Sequence, residues 1–289
     1  MLWLILSLVT ALAVATQDAW VKKSFSHLSA YDMLGIPFFF SLPLFAVAIP
    51  FVPVPPLDKT FLWSFLISLP LNFIPFLIYM KAIRTSPLSL TLPYLAFTPA
   101  FMIFTGYVFL DEMPNLWGIV GILVTCAGGY VLNLEHHGRR SVLSPFGAFF
   151  REKGSRLMLV VALLFSFSAV IGKKAILHSS PLFFTMTFFA VLAFLTLLIL
   201  FGIGKIRINT FKKEWSKGMT AGGLFFLHVL LHGFSISLTK AAYMISVKRL
   251  SALIGIIYGG LFFQEKQIAI RFFAACFMVG GAVVITIWG

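Results

Sequence analysis

The sequence predicts an all-α integral membrane protein: ten transmembrane helices arranged as two inverted five-helix repeats around a central cavity. Three observations carry that prediction. The chain of 289 residues is 60% hydrophobic and 11% charged, with a mean hydropathy of +1.00, beyond what the core of a water-soluble domain of this size needs. Apolar runs of about 20 residues, the length that crosses a bilayer, follow one another with little chain between them. The second half of the chain also echoes the first.

The runs fall near 2–21, 34–54, 61–80, 88–110, 116–134, 157–177, 182–203, 219–239, 245–263 and 268–288. The first ends in Ala13-Val14-Ala15, a small-residue pattern resembling a signal-peptidase site. No Lys or Arg precedes Lys22, so it reads as a span and not as a cleaved leader. The net charge of +13 belongs to loops at the membrane surface, where basic residues set orientation and meet anionic headgroups; no nucleic-acid module is implied. The basic loops Glu135–Arg156 and Lys205–Lys217 dominate the count and favour termini outside the cell membrane. Cys126 and Cys276 lie inside apolar spans and read as small packing residues.

Lys22-Lys23-x-x-x-His27-x-Ser29 closes the first span and Lys173-Lys174-x-x-x-His178-x-Ser180 closes the sixth, 151 residues later. Lys81 and Lys240 end spans 3 and 8. Gly106 and Glu112 recur as Gly259 and Glu265 at an offset of 153, and Gly128-Gly129 as Gly280-Gly281 at 152. The chain therefore divides into residues 1–140 and 141–289. Five spans are an odd number, so the second copy enters the membrane upside down. Inverted repeats of this kind recur in secondary transporters, whose substrate site lies where Pro- or Gly-interrupted spans occupy corresponding positions. Span 4, within Ser86–Glu112, carries Pro87, Pro93 and Pro99. Span 9, within Lys248–Glu265, is short and carries Gly255, Gly259 and Gly260.

A Lys-terminated span 3, then SPLSLTLPYLAFTPAF, a Gly, Leu110-Asp111-Glu112 and a Gly-rich span 5, repeated more loosely as SVKRLSALIGIIYGGLFFQE, resembles the EamA family of the drug/metabolite transporter superfamily over nearly the whole chain. The resemblance implies ten helices, a cavity lined mainly by spans 3, 4, 8 and 9 with help from 1 and 6, cytoplasmic termini, and export or exchange of small metabolites. The commonest form of span 1 has Trp-Gly in mid-helix; here the region reads Thr16-Gln17-Asp18-Ala19-Trp20.

Few residues in the spans carry chemistry. Asp18 is an acid well inside a span, costly there and so a functional candidate; it can couple solute movement to protons, or pair with Lys22 one turn on. His228 and His232 share one face of span 8 and titrate near neutrality, but lack the Glu and third ligand of a zinc helix. Lys240, Lys248 and Arg249 sit at span ends, where snorkelling is the ordinary role. Span 9 crosses only if it begins near Ile245, which draws Lys248 and Arg249 inside, where they can hold a carboxylate or phosphate. Tyr94 and Phe101 are the candidate walls on span 4. Glu112 and Glu265 read as hairpin caps, and the Gly pairs as close helix contacts.

The expected substrate is a small organic metabolite, amino-acid-like or otherwise polar or amphipathic, moved by alternating access in a chain that forms the pathway as a monomer, with oligomers also compatible. A flippase-like amphiphile carrier and a non-transporting scaffold are the alternatives. No Gly-x-Ser-x-Gly, His-Glu-x-x-His or paired intramembrane aspartates occur, so an enzyme is not expected, and no cofactor or metal is called for.

Overall fold

A computed structural model describes residues 1–86, 91–131, 153–263 and 269–289. Pro87, Glu265 and the basic stretch 135–152 lie outside the described residues. The described chain is helical and holds no strand: α1 (Leu2–Phe25), α2 (Ala30–Ala48), α3 (Lys59–Thr85), α4 (Thr98–Leu110), α5 (Leu116–Val131), α6 (Lys153–Leu177), α7 (Pro181–Gly202), α8 (Ile208–Lys213), α9 (Trp215–Ser237), α10 (Ala241–Lys248), α11 (Ser251–Phe263) and α12 (Ala269–Trp288). Short 3₁₀ segments cover Ile49–Phe51 and Leu92–Phe97.

Among the described residues, seven segments are long and apolar enough to cross a membrane: α1, α2 with its 3₁₀ turn, α3, α6, α7, α9 and the α10–α11 pair. Three shorter apolar helices, Tyr94–Leu110, Leu116–Val131 and Ala274–Trp288, accompany them. A multi-pass membrane protein follows, since helices satisfy every backbone group internally in lipid. Large apolar side chains such as Trp63, Leu66, Phe104 and Leu261 face outward.

Helix starts are written in the sequence. Ser29, Asp58 and Ser180 accept the amides of Asp32, Phe61 and Phe183, each filling one of the four donors that a first turn leaves open. Span 4 is interrupted at Pro93 and Pro99, as its sequence predicts. Pro93 and Pro99 sit in the first turns of the 3₁₀ segment and of α4, where an amide has no helical partner to lose. The span is broken into two pieces there, and Cys126 Sγ donates to the freed carbonyl of Ala96 at 3.0 Å.

Span 9 needs correcting. It begins at Ala241, four residues before the expected start, and runs to Phe262. Its helix stops at Lys248 and restarts at Ser251, so it is broken rather than short. Arg249 amide bonds to Ile245 and Ser246 carbonyls and Leu250 amide to Val247 carbonyl tighten the turn at the break.

The Gly pairs pack as small residues in lipid must, letting backbones meet. α5 lies against α12 with Gly121 beside the Gly281 carbonyl and Ile285, and Gly128 beside Ala274 and Met278. Gly118 faces the Tyr243 ring. Elsewhere α1 packs on α9, and α3 on α6, with Ser7 and Ser235 hydroxyls 2.6 Å apart across the α1–α9 seam.

Candidate functional site

α1, α3, α6, α7, α9 and the α10–α11 break enclose a cavity of about 120 Å³. One wall is aromatic: Phe76 from α3, Phe165 from α6 and Phe184, Phe188 and Phe189 from α7, with Phe184 and Phe188 stacked at 4.8 Å between centroids. The lining also carries polar groups drawn from positions far apart in sequence. Asp18, 5% exposed, accepts a 2.6 Å hydrogen bond from the Tyr79 hydroxyl.

His228 and His232 lie one helical turn apart on α9, and both face Lys248. Its Nζ is 3.0 Å from His228 Nε2 and 3.4 Å from His232 Nδ1. His228 Nδ1 lies 2.9 Å from Gln17 Oε1. An amide oxygen only accepts, so His228 carries its proton on Nδ1 and offers Nε2 to the lysine ammonium. Gln17, His228 and Lys248 thus form one directional chain from α1 through α9 to the helix break.

Arg249 sits in the break itself. Its Nη2 donates to Thr98 Oγ1 at 2.9 Å, and Thr98 is the first residue of α4, where the other broken segment resumes. The Arg249 Nε is buried and has no hydrogen-bond partner among the described residues. Lys248 and Arg249 are 9% and 7% exposed, so neither snorkels to the surface. A buried cation persists only when it is paired or hydrogen-bonded, and the shortage of partners is the notable feature of this lining.

Five of the eight candidate residues line the cavity: Asp18, His228, His232, Lys248 and Arg249. The other three lie off it. Tyr94 is buried, Phe101 is half-buried against the core, and Lys240 Nζ lies 5.3 Å from the Tyr243 ring centroid. Span 4 contributes Leu95 to the lining, and α7, absent from the expected set, supplies three of the phenylalanines. Gln17, Tyr79 and Thr98 carry the polar geometry without having been expected; each stands beside a flagged feature, but only the fold brings it to its partner. The Asp18–Lys22 pair is replaced. Asp18 turns to Tyr79, and Lys22 Nζ donates to the Ser86 carbonyl at 2.7 Å.

Glu112 is structural, but not as a cap for α5. One carboxylate oxygen pairs with Lys173 Nζ, and the other accepts the Ala241 amide at 2.8 Å, so it caps α10. Lys173 also donates to the Thr239 carbonyl at 2.6 Å.

Residues 1–134 match the EamA-like transporter family. This family, whose members are membrane transporters and not enzymes, is part of the drug/metabolite transporter superfamily. The EamA-like segment contains Gln17, Asp18, Tyr79 and Thr98; the histidines and both cavity cations lie beyond it. A solved structure titled "Crystal structure of protein" is similar over 99% of this chain and 99% of its own, with a TM-score of 0.71 and 13% identity, one of 29 solved chains that match. At that identity the likeness shows the fold alone, and it spans both halves. No curated protein sequence matches the chain.

Proposed function

We propose that the chain is a secondary transporter of the cell membrane that moves small organic solutes by alternating access, as an exporter or exchanger, through the cavity between α1, α3, α6, α7, α9 and the α10–α11 break. In this reading ten spans form two inverted repeats, residues 1–140 and 141–289, and one chain makes the whole pathway. The observation that carries it is the hydrogen bond from Arg249 to Thr98. Each residue stands at the break of its own interrupted span, Thr98 at the start of α4 and Arg249 two residues before Ser251, which starts α11 and lies 153 from Thr98, the offset of Gly106 and Gly259. Broken spans that meet at corresponding positions are where a rocking pair of repeats holds its substrate.

Further support comes from matched tethers. Lys22 and Lys173, 151 apart, donate to the carbonyls of Ser86 and Thr239, at the corners that lead into the two interrupted spans. The reciprocal packing of α1 on α9 and of α6 on α3 has the same exchange symmetry. Asp18, bonded to Tyr79 inside the cavity, is the group through which a proton gradient acts.

The test is counter-flow in proteoliposomes with a panel of organic acids, amino acids, sugars, nucleotide-sugars and amphiphiles. Saturable exchange of a hydrophilic or amphipathic metabolite, abolished in Asp18→Asn, is expected. Exchange of lipid analogues alone favours the flippase-like alternative, and no exchange of any solute refutes transport.

A further inference from the structure

We propose that the cavity selects a monovalent organic anion with a compact apolar body, its carboxylate held by Lys248 and Arg249 and its body lying against the phenylalanine wall. The proposal rests on the transporter reading for what happens to the ligand, but not for its binding.

Charge balance comes first. Among the described residues, Asp18 is the one carboxylate that lines the cavity, against the two cations Lys248 and Arg249. One positive charge is left over in a site nine-tenths removed from solvent, and an uncompensated buried charge is strongly unfavourable. A monoanion brings the cavity to neutrality. A cation worsens the imbalance, and a neutral solute or a zwitterion leaves it unchanged.

The donors point the same way. The Lys248 ammonium has three N–H groups and two histidine acceptors, which leaves one for a ligand. Arg249 spends Nη2 on Thr98 and keeps Nε without a partner among the described residues. Guanidinium and ammonium donors side by side suit a planar carboxylate, which accepts several hydrogen bonds at once. Asp18 bonds to the Tyr79 hydroxyl through Oδ2, and among the described residues it forms no ion pair with either cation.

Size and polarity set the body. A volume of about 120 Å³ compares with the roughly 150 Å³ of an apolar cavity that takes benzene, so one ring or a branched chain fits and a sugar nucleotide does not. The five phenylalanines offer no hydrogen-bond partner to a hydroxylated body, and among the described residues the polar lining from the same helices is confined to Asn72, Tyr79, Ser168 and Thr185. Ring centroids at 4.8–5.5 Å from one another suit an aromatic or branched aliphatic group.

Four probes with one skeleton test this on the purified protein in detergent: phenylacetate, phenylacetamide, 2-phenylethylamine and L-phenylglycine, with phenyl phosphate as a dianion. Calorimetric titration and ligand-dependent melting are expected to show phenylacetate binding at least tenfold more tightly than the amide, the amine or the zwitterion. Arg249→Gln should lose at least tenfold of that affinity, and Arg249→Lys should keep part of it. If Arg249→Gln does not fold, the ranking of head groups on the unaltered protein decides. Equal binding of the amide or amine, tighter binding of phenylglycine, tighter binding of phenyl phosphate, or no binding of phenylacetate each overturns the proposal. Acid-selective binding without exchange in vesicles refutes transport and leaves this inference standing; exchange without acid preference does the reverse.

Discussion

Adjacent glycines on α12 should respond to the same substitution with opposite signs. A methyl group built on Gly281 falls 2.5 Å from the Gly121 carbonyl oxygen and 2.7 Å from the Thr125 amide nitrogen, both backbone atoms of α5. Real carbon contacts are essentially never under 3.0 Å, so Gly281→Ala must push α12 off α5 by at least about 0.5 Å. A gap of 0.5–1 Å forfeits roughly a quarter to a half of each dispersion contact along a seam, and overpacking of this kind costs about 1–3 kcal/mol. Gly280, one residue earlier, has no atom of the described residues within 4 Å of such a methyl group. Gly280→Ala therefore gains helix propensity, worth up to about 1 kcal/mol, with no steric cost. The assay is unfolding by titrated SDS or by heat in a fixed detergent, followed by helical circular dichroism. Gly281→Ala should unfold earlier than the parent and Gly280→Ala no earlier. A Gly281→Ala protein as stable as the parent would refute the contact argument for this helix pair.

Three more outcomes are expected. Glu112→Ala should lose about 3–5 kcal/mol in the same assay, because it leaves the buried Lys173 with only the Thr239 carbonyl and uncaps α10; adding Lys173→Met should recover part of it, and no recovery would contradict the pairing. Tyr79→Phe leaves the buried Asp18 carboxylate one donor short, a loss of roughly 1.5–3 kcal/mol, read as earlier unfolding together with slower exchange in vesicles. Asp58 caps α3, and the Phe61 amide first, then His178, holds its carboxyl below the ordinary range. A depressed folded value means that the contribution is present above the usual carboxylate pKa of about 3.9 and is lost as pH falls through the lower folded value. Melting curves from pH 6 to 3 should therefore decline less in Asp58→Asn, which keeps the cap and loses the titration.

How much was legible in the sequence depended on the range of the interaction. Spans follow from local hydropathy, and the observed helices sit close to the expected runs. His228 and His232 were placed on one face by their spacing alone, and the cavity finds them there. The position of Arg249 and Lys248 inside the protein followed from the length that a span needs, although the break that holds them was read as shortness. What stayed hidden were partners fixed by tertiary packing. Tyr79 lies 61 residues from Asp18 and Gln17 lies 211 from His228, and no periodicity links such pairs. The Asp18–Lys22 pairing failed for the same reason, since Asp18 takes its hydrogen bond from Tyr79 on α3 instead of from a neighbour on its own helix. Span 7 was overlooked because an all-apolar helix shows no contrast between its lipid face and its cavity face.

Glu112 has a consequence for the order in which the protein is made. Its carboxylate belongs to the family-matched first half, yet both of its partners are synthesised later, Lys173 after 61 more residues and the Ala241 amide after 129. While the chain is emerging, the corner between α4 and α5 holds an acid with nothing to bind. The first half reaches its final form only when α6 and α10 arrive. A half-chain expressed alone should therefore be held by quality control or degraded, and co-expression of residues 141–289 should rescue it.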